Sequence, residues 1–337
     1  MMELSTLLPL VWFGIIAFGV FMYVLMDGFV LGIGILTRYA ESEEERDVMM
    51  NSVAPIWDGN ETWLVLGGAG LFAAFPVAYS TVLPALYIPL LMMLIALVFR
   101  GVAFEFRFKA ESSKYLWNGA FRWGSLVATF TQGMVLGALV EGIEIRDQGF
   151  VGRTLDFLSP FSILTGAALV AGYALLGSTW MIIKTEGVLQ DRARLMSRWL
   201  TLMVLGFILL ISLWVPFLEA DYADRWFSMP NILFLSPVPF LVLLDAYFLL
   251  KAVKEGGEKQ PFVLAMGLFL LGYAGLAISI WPNIVPPHLS LWDAASPPGS
   301  QVFLLVGVSF LIPTILIYTA YSYWIFRGKV RAGEGYH

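Results

Sequence analysis

Cysteine is absent from this 337-residue chain. That removes disulfides, thiolate metal sites, iron–sulfur clusters and cysteine nucleophiles together. Histidine is nearly absent: only His288, in the polar stretch Pro286-Pro-His-Leu, and His337, the last residue. Neither falls in an apolar run, so the sequence offers no intramembrane imidazole for a haem. Charge is scarce as well. Charged residues make up 13% of the chain, about half the share of a soluble domain. The net charge of −5 and the lack of a basic stripe argue against nucleic acid as a partner.

Long apolar runs fill the space. The chain is 59% hydrophobic, and windows of about 20 apolar residues recur along it. Nine are legible, at roughly 8–36, 61–79, 80–106, 119–143, 161–184, 199–218, 232–252, 262–283 and 301–326. They are long and continuous, as helices are, rather than ten-residue alternations of a barrel. The expected fold class is therefore all-α integral membrane, with nine transmembrane helices and no soluble domain. The first run is too long, and lacks the basic start, of a cleavable signal peptide.

The basic residues orient the chain. Seventeen of the 20 fall in one set of loops: Arg38, Arg46, Arg100, Arg107, Lys109, Lys114, Arg122, Lys184, Arg192, Arg194, Arg198, Lys251, Lys254, Lys259, Arg327, Lys329 and Arg331. Only Arg146, Arg153 and Arg225 fall in the other set. This predicts the N-terminus outside and the C-terminus cytoplasmic. Asp27 then lies about 28 Å along the first helix from Leu8, in the inner part of the membrane.

Acids in apolar helices need a partner, a proton or a task. Asp58 and Glu61, in Trp57-Asp-Gly-Asn-Glu61, open the second span three residues apart and share a face. They suit proton uptake or a helix cap, with Trp57 at the boundary. Arg100 lies deep in the third span and needs an anion, with Asp27 and Asp58 in range. Glu105 and Lys109 have ion-pair spacing at that helix's end. Asp245 is a further intramembrane acid, expected as a structural partner. Trp292-Asp293 reads as a packing corner or docking point. The run from Glu41 to Asp47 reads as a solvated helix turn. Methionines such as Met22, Met26, Met92, Met93 and Met134 read as packing.

These residues carry a resemblance. The motifs are Asp27-Gly-Phe, Asn51-Ser-Val-Ala-Pro, Trp57-Asp-Gly-Asn60, Leu71-Phe-Ala-Ala-Phe-Pro76 and Phe99-Arg100 with Glu105 and Lys109. They continue with Leu291-Trp-Asp-Ala294, Tyr318-Thr-Ala-Tyr321 and Tyr323-Trp324. The chain resembles subunit II of the cytochrome bd-type quinol oxidases, including their cyanide-insensitive branch. The resemblance implies two four-helix bundles, over 1–145 and 158–285, and a peripheral helix over 300–326. It implies a partner, subunit I, that holds two haem b and one haem d and oxidises quinol. This chain would bind no cofactor of its own, although some members hold a structural quinone. The complex would sit in the bacterial inner membrane and reduce oxygen to water with cytoplasmic protons, without pumping. Membrane lipid and a small single-span subunit are further implied partners.

Carried over by position, Asp58 matches the family's proton-path aspartate, Glu105 stands where some members have Asp, and Lys109 matches a basic residue at the entrance. Where some members continue Asp-Gly-Phe-Asp, this chain has Val30. The expected proton-path residues are thus Asp58, Glu105, Lys109, Asp27 and Glu61. Trp57, Arg100, Asp245, Trp292 and Asp293 are expected as structural or charge partners, and no residue of this chain as catalytic. The alternatives are a purely structural scaffold subunit or a secondary transporter.

Overall fold

A computed structural model of the chain describes residues 2–146, 149–331 and 333. His337 lies outside the described residues. The helices are α1 Met2–Leu36, α2 Glu43–Asn51, α3 Trp57–Ala74, α4 Pro76–Ala85, α5 Tyr87–Arg107, α6 Lys114–Glu141, α7 Pro160–Lys184, α8 Gly187–Trp214, α9 Ala220–Phe227, α10 Asn231–Leu235, α11 Pro237–Lys254, α12 Gln260–Ile280 and α13 Pro298–Ile325. Two antiparallel ribbons, β1 (Ile145–Arg146) with β2 (Gly149–Phe150) and β3 (Asn283–Val285) with β4 (Leu289–Ser290), complete it.

Among the described residues, eight helices are long and apolar enough to cross a membrane. Eight of the nine expected runs correspond to them. The remaining run, at 61–79, falls mainly on α3, whose first two turns carry Asp58, Asn60 and Glu61 and dilute its hydropathy. The expected boundary between the second and third runs is misplaced. The chain breaks at Phe75, not after 79, because Pro76 lacks an N–H and instead opens α4 at its first position.

Local sequence sets several helix starts. Ser42 caps α2 by accepting the Glu45 N–H at 3.1 Å, and Glu43, Glu44 and Glu45 sit where the helix dipole favours acids. Ser159 and Ser162 cap α7 reciprocally, with Pro160 at its first position.

The centre of the molecule is α7. Residues 171–182 are buried without interruption, so every face of that stretch meets protein. α1 and α6 pack along it, α8 and α12 behind it, and α13 lies against α1 and α3. Glycines allow the closest crossing. A Cβ placed on Gly32 of α1 would lie 1.8 Å from the Tyr173 carbonyl oxygen, and one on Gly177 would lie 2.6 Å from the Gly32 carbonyl carbon. The two backbones touch there, as small residues permit between membrane helices.

Candidate functional site

Arg100 organises the site. It points from α5 into the protein and is fully buried. Its Nη2 lies 2.7 Å from both Asp27 carboxylate oxygens and 2.9 Å from Glu61 Oε1. The Asp27 bonds are aligned hydrogen bonds, whereas Glu61 makes a charge contact without that alignment. Asp27 is also fully buried, while the Glu61 side chain is 30% exposed. Removing such charges from water costs several kcal/mol each, so the pairing is obligatory rather than ornamental. Trp57 stacks on Phe104 at 5.2 Å, and the Arg100 guanidinium lies 5.4 Å from the Trp57 ring.

The surroundings hold this cluster in place. Asn60 donates to the Met26 carbonyl at 2.8 Å and accepts from the Tyr323 hydroxyl at 3.1 Å. That ties α3 to α1 and α13 beside Asp27. Phe29, two residues beyond Asp27, stacks on Trp180 at 4.3 Å.

Two expectations require correction. Asp58 is in range of Arg100 by depth, but Asp27 and Glu61 fill that role. Asp58 is exposed, and it does not cap α3: the N-cap position belongs to Ile56, which makes no side-chain cap bond. Three residues on a helix bring Asp58 and Glu61 to neighbouring directions, and the exposed one stays within electrostatic range of the other.

The run from Glu41 to Asp47 is not a solvated turn. Arg107, also fully buried, donates to Asp47 Oδ1 at 2.5 Å, Glu43 Oε2 at 3.1 Å and Asn118 Oδ1 at 2.5 Å. Lys114 reaches Asp47 at 3.2 Å, and Arg46 pairs with Glu43. From α8, Arg192 binds Glu41 at 2.9 Å and Glu45 at 2.8 Å. α2 is therefore stapled to α5 and α6 on one side and to α8 on the other. Partial burial works against the Glu43 carboxylate, but the Asn118 hydrogen bond and the charges of Arg46 and Arg107 hold its carboxyl below the usual range.

The remaining predicted residues stand apart. Glu105 and Lys109 form a 3.8 Å pair with both side chains well exposed. Asp245 packs against Gly267, with Oδ2 buried and no hydrogen-bond partner among the described residues. Trp292 donates to the Thr6 carbonyl at 3.2 Å and meets Trp281 edge-on, and Asp293 accepts from Ser290 at 2.5 Å; this is a packing corner. His288 lies in the β3–β4 turn. The described helices carry no histidine, so they offer no axial imidazole to a haem.

Sequence reasoning missed Tyr23, Gln132 and Tyr173. Tyr173 donates to Gln132 Oε1 at 2.9 Å, and Gln132 Nε2 donates to the Tyr23 hydroxyl at 2.8 Å. The signal available was a lone amide in the apolar run of α6.

The sequence and the fold meet in one comparison. The family model for cytochrome bd terminal oxidase subunit II matches residues 8–326. The chain belongs to that family. It is 31% identical over 335 residues to the cytochrome bd ubiquinol oxidase subunit 2 of Bacillus subtilis (strain 168), covering 96% of this chain and 97% of the relative. It is 26% identical to the cytochrome bd-I ubiquinol oxidase subunit 2 of Escherichia coli (strain K12), covering 96% and 95%. The solved structure of the bd oxidase from Geobacillus thermodenitrificans contains a chain of the same fold. The TM-score is 0.77 at 16% identity, covering 92% of this chain and 97% of that one. This subunit II is thus part of an oxygen-reducing quinol oxidase complex. It is a multi-pass protein of the bacterial inner membrane, with a subunit I as partner.

Proposed function

We propose that this subunit II supports subunit I and lines a cytoplasmic proton route to the site of oxygen reduction. The observation that carries the reading is the buried Arg100 with Asp27 and Glu61 around it, and the exposed Asp58 three residues before Glu61 on the same helix. Two carboxylates around one guanidinium leave one negative charge uncompensated when both are ionised, and a proton neutralises it. Asp58 collects protons at the surface, Glu61 passes them inward, and Asp27 receives them beside Arg100. Glu105 and Lys109 set the potential at the mouth.

The charge distribution supports nine spans with the N-terminus outside and the C-terminus cytoplasmic, α3 being the second span. On this reading the haems and the quinol-oxidising site belong to subunit I, and this chain binds none of them. A small single-span subunit and membrane lipid complete the assembly, and 1–145 and 158–285 form two four-helix bundles beside the helix at 300–326.

The test uses the purified complex. Asp58→Asn and Glu61→Gln should assemble with normal haem spectra and slow quinol-driven oxygen uptake about tenfold or more, the scale of a lost proton-transfer group. Parental turnover in both variants would leave the scaffold reading, which the α2 staple independently favours. The isolated chain should show no Soret band, and stoichiometric haem on it would refute the cofactor assignment.

A further inference from the structure

We propose that Gln132 is a positioning residue for Asp27, acting through Tyr23 with Tyr173 as its anchor. The proposal rests on the reading of Asp27 as a proton-route carboxyl. The three side chains come from α6, α1 and α7 and meet in the interior. Tyr173 is fully buried and Tyr23 is 4% exposed. The Tyr173 ring is fixed by stacking on Phe269 at 5.9 Å and by close approach to Gly28.

The orientation of the Gln132 amide gives the chain a direction. An amide has one end that only donates and one that only accepts. Oε1 of Gln132 takes the Tyr173 proton, so Nε2 is turned to the Tyr23 oxygen. The Tyr23 oxygen then acts as an acceptor towards Gln132. Its single proton is then not held by Gln132, and Asp27 lies one helical turn on along the same face of α1. Donors in series in a low-dielectric interior reinforce one another. Arg100 holds Asp27 by two hydrogen bonds, and Tyr23 stands one helical turn before it, placed by Gln132 to act on the carboxyl from a second direction. The other charged or titratable groups around it are Glu61 and Asp58 on α3, Tyr323 on α13 and Tyr173 on α7.

The experiment compares Gln132→Leu, Gln132→Glu and Tyr173→Phe with Asp27→Asn and the parent, all as complexes purified with subunit I. Gln132→Leu should lower kcat about fivefold with KM for quinol unchanged, because it disturbs geometry and touches no quinol. Gln132→Glu supplies the diagnostic signature. When protonated, the introduced carboxyl can donate and accept as the amide does, so turnover at low pH should match the parent. When ionised, it only accepts, and it draws the Tyr23 proton away from Asp27. Turnover should then fall as pH rises, with an inflection absent from the parent and from Gln132→Leu. Tyr173→Phe should lower kcat less than Gln132→Leu.

A Gln132→Glu pH profile parallel to the parent's would overturn the inference. So would a parental kcat in Gln132→Leu alongside a slow Asp27→Asn, which leaves the proton-route reading standing. A parental rate in Asp27→Asn would remove that reading and the inference with it. If Gln132→Leu does not assemble, the Gln132→Glu profile and Tyr173→Phe decide by the same criteria.

Discussion

Two arginines on α5, seven residues apart and therefore on nearly the same face, meet similar company with opposite results. Arg100 and Arg107 are both fully buried, and each faces two carboxylates. Arg107 uses Nε, Nη1 and Nη2, with Asn118, Asp47 and Glu43 as acceptors. Its acids are 34% and 49% exposed. Arg100 places only Nη2 on its acids, and its Nε and Nη1 have no partner among the described residues. Saturation is what a structural clamp requires, because every donor lost to burial must be repaid in bonds. Incomplete saturation beside an excess acid suits the proposed proton route, whose hydrogen bonds would change during turnover.

The sharpest way to break this contrast is at Arg100. Arg100→Met leaves two acids in a buried site with no cation, a change of about 3–5 kcal/mol when one partner of a buried pair is removed. We expect little assembled complex, and oxygen uptake per haem near background in what remains. Arg107→Met should lower thermal stability by about 1–3 kcal/mol through its unpaired acceptors, yet leave turnover per haem parental. Equal slowing in both variants would erase the distinction.

Glu43 sharpens the structural side through pH. Its carboxyl is held below the usual range in the folded chain, so its contribution is present above the ~4.3 of an unperturbed Glu. That contribution is lost as pH falls through the folded value. Thermal midpoints of the parent and Glu43→Gln should therefore differ near neutrality and converge in acid. The smallest effect belongs to the exposed pair. Glu105→Gln with Lys109→Met should leave the thermal midpoint within error, and should slow oxygen uptake at most about twofold by weakening the local potential.

The same contrast shows what a sequence discloses. Arg100 and Asp27 match by depth alone, since helical rise converts residue number into position in the membrane. Nothing in the sequence singles out Glu61 over Asp58, because which of two acids on one helix turns inward depends on the rotation of α3 against α1 and α5. The Glu41–Asp47 run reads as solvated charge because its cations lie far along the chain, at Arg107, Lys114 and Arg192. The helix interruption at Pro76 is readable from the proline, but a continuous apolar run conceals it. The link from Tyr23 through Gln132 to Tyr173 joins three helices, and no local pattern encodes it.

The glycine crossing of α1 and α7 has a consequence for anyone sorting variants by phenotype. Gly32 lies five residues beyond Asp27, and the backbone it touches belongs to Tyr173. The two ends of the polar chain are therefore gauged against each other by a pair of missing methyl groups. Gly32→Ala adds no charge, no donor and no acceptor, yet it must separate the helices that carry Asp27 and Tyr173. A wholly apolar change at this crossing will score in a turnover screen beside the carboxylate mutants, and only its normal complement of ionisable groups will tell it from a lesion in the proton chemistry itself.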